Sequence, residues 1–349
     1  MLNVPARGRS LCAILALAAV LALGAAGPSM AQAPPPAANA EVPLPTPASG
    51  SFYTAFDYTT DDRIIAFDGF TVYEQQDAAS DAMTPVGSIP EEYRGATDPS
   101  FVSVSPTDDL VLLGAGAGGS KYPDPDYNGN IFRMDLNTGA ASLVGRYPWN
   151  ILGDFISQHH FVFGQGETYG FFTGSVEVLD LRTGATRSIV KEIPGDPGGV
   201  AFDRGDDGHG NLFVGLGSAQ DSDRNGEVRR FSKNAVKAAL DGGPALDFDT
   251  QSTLVTEILN AGDLAFGAHG QMFVGGGDFG EPDLGYVAKV DPKTGQTLSR
   301  FDPADGDADD GDFRYWALSD APGGCVLGAL DLSSFFSPDP DVVYQRDLC

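Results

Sequence analysis

Basic residues are scarce in this sequence. The chain has 21 lysines and arginines against 48 aspartates and glutamates, which gives a formal net charge of −27 at pH 7. A surface this acidic repels nucleic acid and anionic membranes, so neither is expected as a partner. It attracts cations or basic partners, and it also favours solubility in a salty exterior.

Long apolar runs are absent except near the amino terminus. The run from Leu11 to Ala26 has the length of a signal-peptide core and is short for a membrane span. Arg7 and Arg9 precede it, and small residues suited to signal peptidase follow at 29–31. We therefore expect residues 1–31 to be a signal peptide and the mature chain to be exported, to the periplasm or the extracellular space. An uncleaved membrane anchor is the alternative. Cleavage lowers the net charge to −29, because the segment carries two positive charges and no negative one.

Cysteine is almost absent, which limits the chemistry. Of the three cysteines, Cys12 lies in the signal peptide, and Cys325 and Cys349 remain. In an oxidising compartment we expect these two to form a disulfide, which leaves no thiol nucleophile. The sequence also has no Gly-x-Ser-x-Gly motif. Residues 114–119 match Gly-x-Gly-x-x-Gly, but prolines stand where a dinucleotide-binding helix would have to begin.

Turn-forming residues are abundant, with 45 glycines and 24 prolines, and they recur with a period. A short apolar run ending in a small residue repeats six times, at intervals of 48 to 60 residues. The repeated small residues are Ala66, Gly114, Gly164, Gly215, Gly275 and Gly328. An Asp-x-x-Thr-Gly turn follows three of these residues, at 135–139, 180–184 and 291–295. Repeats of this length are typical of propeller blades.

The period predicts an all-β fold, a β-propeller of six blades with mainly four antiparallel strands each, named A to D from the inside outwards. Residues 51–349 form this single domain, and residues 32–50 form a Pro/Ala-rich linker. The predicted units are 51–90, 101–144, 152–193, 197–260, 262–305 and 312–349. A short helix over Lys233–Leu240 explains the longest interval.

The last unit ends at strand C and so lacks an outer strand. Upstream of the first unit, Val42 and Leu44 alternate with prolines, which edge strands tolerate. We expect part of residues 41–46 to pair with strand C around 342–346 and to join the two ends of the chain. A three-stranded last blade with a loose tail is the alternative.

Two strand–turn–strand stretches carry a family resemblance. Gly198-Gly199-Val200-Ala201-Phe202-Asp203 leads into Gly210-Asn211-Leu212-Phe213-Val214, and residues 262–266 leading into 270–274 repeat the pattern. The pattern resembles the propellers of the NHL and SMP-30/gluconolactonase families. The resemblance implies the fold. It also implies that a metal can lie in the central channel, where SMP-30-type enzymes hold it with a Glu, two Asn and an Asp. We assign that set to no positions of this sequence.

Two acidic loops resemble the start of a calcium-binding loop, which places oxygen ligands at positions 1, 3 and 5 and glycine at 6. The first offers Asp124, Asp126 and Asn128, and the second offers Asp221, Asp223 and Asn225. Each loop leads into a strand, so a ligand at position 12 cannot return to the ion. Calcium would need backbone carbonyls, water or a neighbouring loop to complete its shell. The alternative is an ordinary Asn-Gly turn.

A further set of aspartates opens inner strands. Asp154, Asp263 and Asp312 each follow a glycine at the start of strand A. Three carboxylates around one channel would favour a cation, whereas the alternative is that they accept hydrogen bonds from turn amides. The histidines lie in A–B turns, on the face away from the acidic loops, so no histidine metal site is expected.

Two functions remain open. The first is a ligand- or partner-binding module with calcium-ordered loops, which binds a small ligand or a protein on the acidic loop face. The second is a metal-dependent hydrolase of the lactonase or phosphoesterase type, with its site at the channel mouth. A phosphoesterase needs cationic groups, and the acidic face offers mainly Arg94, Lys121 and Arg224, which favours the first.

Overall fold

The structure is a computed structural model, and it describes much of the chain beyond the amino-terminal region. The described residues are 42–43, 55–77, 82–95, 98–117, 129–166, 173–203, 210–218, 226–267, 269–276, 286–301, 315–320, 326–331 and 343–347. Within them, no helix is long and apolar enough to cross a membrane. The predicted signal peptide lies outside these residues.

The described strands form six sheets. The first sheet contains β2 (Ala55–Tyr58), β3 (Ile64–Phe67), β4 (Thr71–Gln75) and β5 (Met83–Ser88). The second contains β6 (Asp98–Val104), β7 (Leu110–Ala117), β8 (Asn130–Asp135) and β9 (Ala141–Arg146). The third contains β10 (Asn150–Ser157), β11 (His160–Gly166), β12 (Gly174–Asp180), β13 (Ala185–Ile193) and β17 (Leu246–Asp247). The fourth contains β14 (Asp196–Phe202), β15 (Leu212–Ser218), β16 (Glu227–Phe231) and β18 (Thr253–Glu257). The fifth contains β19 (Asp263–Phe266), β20 (Met272–Gly276), β21 (Tyr286–Val290) and β22 (Thr297–Phe301). A short 3-10 helix, Glu91–Tyr93, connects the first two.

The sixth sheet is composite and joins the two ends of the domain. It contains β23 (Tyr315–Asp320), β24 (Val326–Asp331), β25 (Val343–Asp347) and β1 (Val42–Pro43). In its outer pair, Val42 lies opposite Gln345 and Pro43 opposite Tyr344. The pairing expected for residues 41–46 is therefore present, with a proline on an edge strand where its missing N–H is tolerated.

The six inner strands surround a common axis. Strands β2, β6, β10, β14, β19 and β23 each pack against the next, and β23 packs against β2. The predicted all-β propeller is confirmed. Five sheets are each made mainly from one stretch of chain, and β1 and β23–β25 complete the circle.

The repeated apolar runs fill the space between sheets. Each run supplies the second strand of its sheet, where residues such as Leu112, Phe163 and Phe213 are fully buried. The glycine that follows permits close contact with the neighbouring strand: a Cβ on Gly114 would lie 2.2 Å from the Phe101 ring. This contact explains why small residues recur in the repeat.

The predicted helix is present as α1 (Lys233–Leu240). The Ser232 hydroxyl caps it by accepting from the Ala235 N–H. Val236 and Ala239 are buried in the core between the third and fourth sheets. After the helix, β17 pairs in parallel with β13 of the third sheet, so this insertion ties the two neighbouring sheets together.

The two cysteines lie outside the described residues, next to paired strand ends. Val326, which follows Cys325, lies opposite Asp347, which precedes Cys349 by two positions. The disulfide between them stays a prediction.

Deleting β1 should destabilise the domain. In a chain that starts at residue 32, removing residues 32–48 should lower the melting temperature by several degrees, because β25 loses its partner and becomes an exposed edge. Removing only residues 32–40 is the matched control, since it leaves β1 in place. A difference below about 1 °C between the two deletions would mean that the pairing adds nothing to stability.

Candidate functional site

A cavity of about 400 Å³ runs along the central axis. All six inner strands line it, together with A–B turn residues such as Thr60, Pro106 and Gly270. Among the described lining residues there are five aspartates and no lysine, arginine or histidine. The aspartates are Asp57, Asp108, Asp154, Asp203 and Asp263. The described lining is therefore acidic and carries no basic side chain.

Acidic and small residues alternate around the inner end of the channel. Asp57, Asp154 and Asp263 lie on β2, β10 and β19, which are every second inner strand. The strands between them carry Ser103, Gly199 and Ala317 at the corresponding positions. Space explains the glycine, since a Cβ on Gly199 would lie 2.3 Å from the Leu264 nitrogen.

Asp57 connects three inner strands. Its Oδ1 accepts from the Tyr58 N–H at 2.8 Å and from the Ser319 hydroxyl, and its Oδ2 accepts from the Val104 N–H at 2.7 Å. Burial raises the pKa of Asp57 to about 6, against the opposing effect of these hydrogen bonds. The Asp57 carboxyl group therefore links three inner strands by hydrogen bonds, and it loses its proton at a higher pH than a free aspartate does.

Asp263 makes the same kind of connection two inner strands away, on the other side of β23. Its Oδ1 accepts from the Leu264 N–H at 2.8 Å, and its Oδ2 accepts from the Leu318 N–H at 2.7 Å on the next inner strand. Burial raises the pKa of Asp263 to about 8, and the nearby charges of Asp57 and Asp154 raise it further. Three carboxyl groups thus interact electrostatically at one level of the channel.

Of the three aspartates proposed for a channel cation, Asp154 and Asp263 line this cavity, while Asp312 lies outside the described residues, before β23. That they bind a cation stays a prediction. Asp263 also accepts from backbone amides, as the alternative interpretation required. Asp57 was not predicted from the motif, because Phe56 precedes it where the motif has glycine. Its place within the inner strand of the first repeat was the available signal.

No group of three or more His, Cys, Asp or Glu side chains in the described part of the chain is placed to hold a metal ion. The described channel carboxylates alone therefore do not form such a group. The predicted calcium ligands Asp124, Asp126, Asn128, Asp221, Asp223 and Asn225 all lie outside the described residues.

Two asparagines border the first acidic loop. Asn150 is fully engaged: its Oδ1 accepts from the Ser100 hydroxyl at 2.6 Å, and its Nδ2 donates to the Ala115 carbonyl at 3.1 Å. Asn130, at the carboxyl end of the loop, is fully buried, yet neither of its side-chain polar atoms has a partner among the described residues. Buried amides normally have hydrogen-bond partners, so the Asn130 side chain is an exception at the carboxyl end of the loop.

Three of the four histidines are described. The His160 ring nitrogen Nδ1 lies 3.0 Å from the Ser157 hydroxyl, and His159 and His269 are exposed in A–B turns. His209 lies outside the described residues.

Comparison with known proteins supports the fold and nothing finer. No family model and no curated protein matches the chain. Solved structures with a similar fold include regucalcin, a calcium-binding protein from Agrobacterium tumefaciens, with a TM-score of 0.56, 13% identity, and coverage of 87% of this chain and 90% of that chain. A protein named as a gluconolactonase gives a TM-score of 0.56 at 13% identity, covering 89% of this chain and 93% of that chain. A nidogen/laminin complex gives a TM-score of 0.52 at 7% identity, covering 72% and 81%. The resemblance to SMP-30-like propellers is confirmed at the level of the fold.

Proposed function

We propose that this protein is an exported binding module that takes a small, positively charged ligand into its central channel. The composition of the channel carries the proposal: its described lining has five aspartates and no basic residue. Inside a low-dielectric cavity, such carboxylates attract a cation more strongly than surface carboxylates do. The net charge of −27 adds a field of the same sign over the whole molecule.

Ligand binding would also relieve an electrostatic cost in the empty channel. Burial and mutual repulsion raise the pKa of Asp57 to about 6 and that of Asp263 to about 8. A bound cation favours the ionised form of each carboxyl group. Binding should therefore release protons near neutral pH.

We also propose that calcium orders the two acidic loops. Support comes from the repetition of the loop motif and from Asn130, whose buried amide oxygen at the base of the first loop is available as a hard ligand. Regucalcin, of similar fold, is named as a calcium-binding protein. The sixth, composite sheet acts in this proposal as the sixth blade, which completes the ring around the channel.

A metal-dependent hydrolase is the second candidate. The fold shared with a protein named as a gluconolactonase favours it. Against it, the described residues contain no metal-ligand group, and the described channel lining has no cationic side chain for a phosphate.

A thermal-shift screen separates these functions. Small organic cations should raise the melting temperature, and Asp154→Asn should reduce that shift, because binding to the folded state alone stabilises it.

Calcium should raise the melting temperature through the loops, and the double variant Asp126→Ala, Asp223→Ala should remove that shift only. Asp291→Asn, in an exposed turn, is the charge-matched control. No shift with any cation would contradict the binding proposal. Lactone turnover that requires a metal would favour the hydrolase.

A further inference from the structure

We propose that the helical insertion builds a second binding site, which takes a small amphipathic carboxylate between α1 and the third sheet. A cavity of about 440 Å³ lies there, within the range of about 300–1,000 Å³ that ligand pockets occupy. We call this cavity between α1 and strands β11–β13 the helix pocket. Phe202 is the one described residue that lines both the helix pocket and the central channel. The helix pocket is independent of cation binding in the channel.

One face of α1 forms a wall of the helix pocket. The helix residues that line it are Lys233, Val236, Lys237 and Leu240, followed by Asp241 directly after the helix. Spacings of three and four residues place side chains on the same face of a helix. Because α1 is the only α-helix among the described residues, the described part of the chain has such a wall once.

The third sheet forms the facing wall. His160 lies opposite Asp180 on the next strand, and Val178 lies opposite Arg187 on the strand after that. Residues that are paired across strands, or two positions apart on one strand, point to the same face of a sheet. The register therefore directs all four side chains into the helix pocket, which each of them lines.

The floor of the helix pocket is apolar. Val178 and Val236 are buried in the core between the third and fourth sheets. Ile156, Phe202 and Leu240 pack against the same core but stay only half-buried, and all three line the helix pocket. Covering this remaining apolar surface is favourable in water. An aliphatic or aromatic group of a ligand would cover it.

Arg187 sets the charge of the ligand. Its half-buried side chain donates to the Ala239 carbonyl oxygen, and the described contacts give it no carboxylate partner. A guanidinium has five N–H donors, so several remain for a ligand. A carboxylate can accept two of them in parallel, which is the geometry that arginine recognises best.

The acidic residues of the helix pocket already have basic partners. Asp180 accepts from the Arg182 guanidinium at 3.1 and 3.0 Å, and Asp241 accepts from the Lys237 ammonium group at 2.6 Å. The described lining has three lysines and arginines against two aspartates, although the whole chain has a net charge of −27. This local excess of positive charge favours an anionic ligand.

Isothermal titration of the full chain with octanoate, octan-1-ol and acetate tests the proposal. Octanoate has the charged head and the apolar chain, whereas each of the other two has one of these features. We expect octanoate to bind about tenfold more tightly than octan-1-ol, because hydrogen bonds between charged groups are the stronger kind. Acetate should bind at least about tenfold more weakly than octanoate, because it covers little apolar surface.

Four variants assign the binding to the helix pocket. Arg187→Gln should lower octanoate affinity about tenfold and leave octan-1-ol affinity unchanged. Arg187→Lys keeps the charge without the paired N–H groups, so it should lose about threefold. Leu240→Ser should weaken both octanoate and octan-1-ol. Arg133→Gln is the matched control and should change neither, since Arg133 is exposed on the second sheet beside Ser142.

Several results would overturn the proposal. These are equal affinities for octanoate and octan-1-ol, wild-type octanoate affinity in Arg187→Gln, and no binding of octanoate to folded wild-type protein. Sedimentation measurements add another: a dimer that Leu240→Ser dissociates would mean that a second copy of the chain covers the helix pocket. Melting temperatures show whether each variant is folded, and Arg187→Lys provides the test if Arg187→Gln is not.

Discussion

Raising the pH from 6 to 9 should lower the melting temperature by about 5 °C, with Asp263 as the main cause. Burial raises the pKa of Asp263 from 3.8 to about 8, so the folded protein holds a proton that the unfolded chain has released. The stability from this proton is complete below pH 3.8 and is lost as the pH rises through 8. Each pH unit within that window changes the free energy of unfolding by up to about 1.4 kcal/mol, so roughly 2 kcal/mol is lost between pH 6 and 8.

The variant Asp263→Ala should have a smaller slope over the same pH range. It should also be less stable than wild type at pH 6, because the N–H groups of Leu264 and Leu318 lose their acceptor. Asp291→Asn is the control and should keep the wild-type slope, since backbone hydrogen bonds lower the pKa of this exposed group. Identical slopes in wild type and Asp263→Ala would show that the buried carboxyl is not responsible.

Replacing Asp57 by alanine should destabilise the domain by about 3 kcal/mol, the largest effect we expect from a single channel residue. The change removes the acceptor for the Tyr58 N–H, the Val104 N–H and the Ser319 hydroxyl. Those donors belong to three different inner strands, so the loss loosens the ring on both sides of β2. Urea unfolding measures it as a lower midpoint with an unchanged slope.

Two further variants make this test specific. Ser319→Ala removes one of the three donors and should cost about 1 kcal/mol. Asp108→Ala removes a carboxylate at the channel mouth, where Thr60 alone is bonded to it by the described contacts, and should cost less than Asp57→Ala. If all three variants unfold at the same urea concentration, Asp57 does not link the inner strands.

Features that repeat along the chain could be predicted from the sequence. Each sheet has a small residue in its apolar run, and where this residue is glycine the neighbouring sheet comes close: a Cβ on Gly164 would lie 2.9 Å from the Pro197 ring. Because such a contact occurs once in each sheet, small residues recur along the sequence at a regular interval. The helix was predictable from Ser232 before it and from the Asp241-Gly-Gly-Pro sequence after it.

Contacts across the ring could not be predicted in the same way. Asp57 bonds to Ser319, which is 262 positions away, and no local pattern connects the two. The alternation of acidic and small residues appears only when the order of the inner strands is known. The two-residue strand β1 was predictable because the last unit has one strand fewer than the others. That signal comes from comparing the strands of all the units, and not from residues 42–43 themselves.

The pairing of β1 with β25 has a consequence for how the protein is made. Strand β1 cannot pair until β25 has been synthesised, because β25 is the last described strand of the chain. Contacts between segments this far apart in sequence are slow to form. Until then the incomplete molecule carries unpaired strand edges, which are prone to association with other chains. Premature termination anywhere before residue 343 would leave every copy in that state. Completion of the chain is therefore a condition for closing the molecule, and a product that ends early keeps an exposed strand edge.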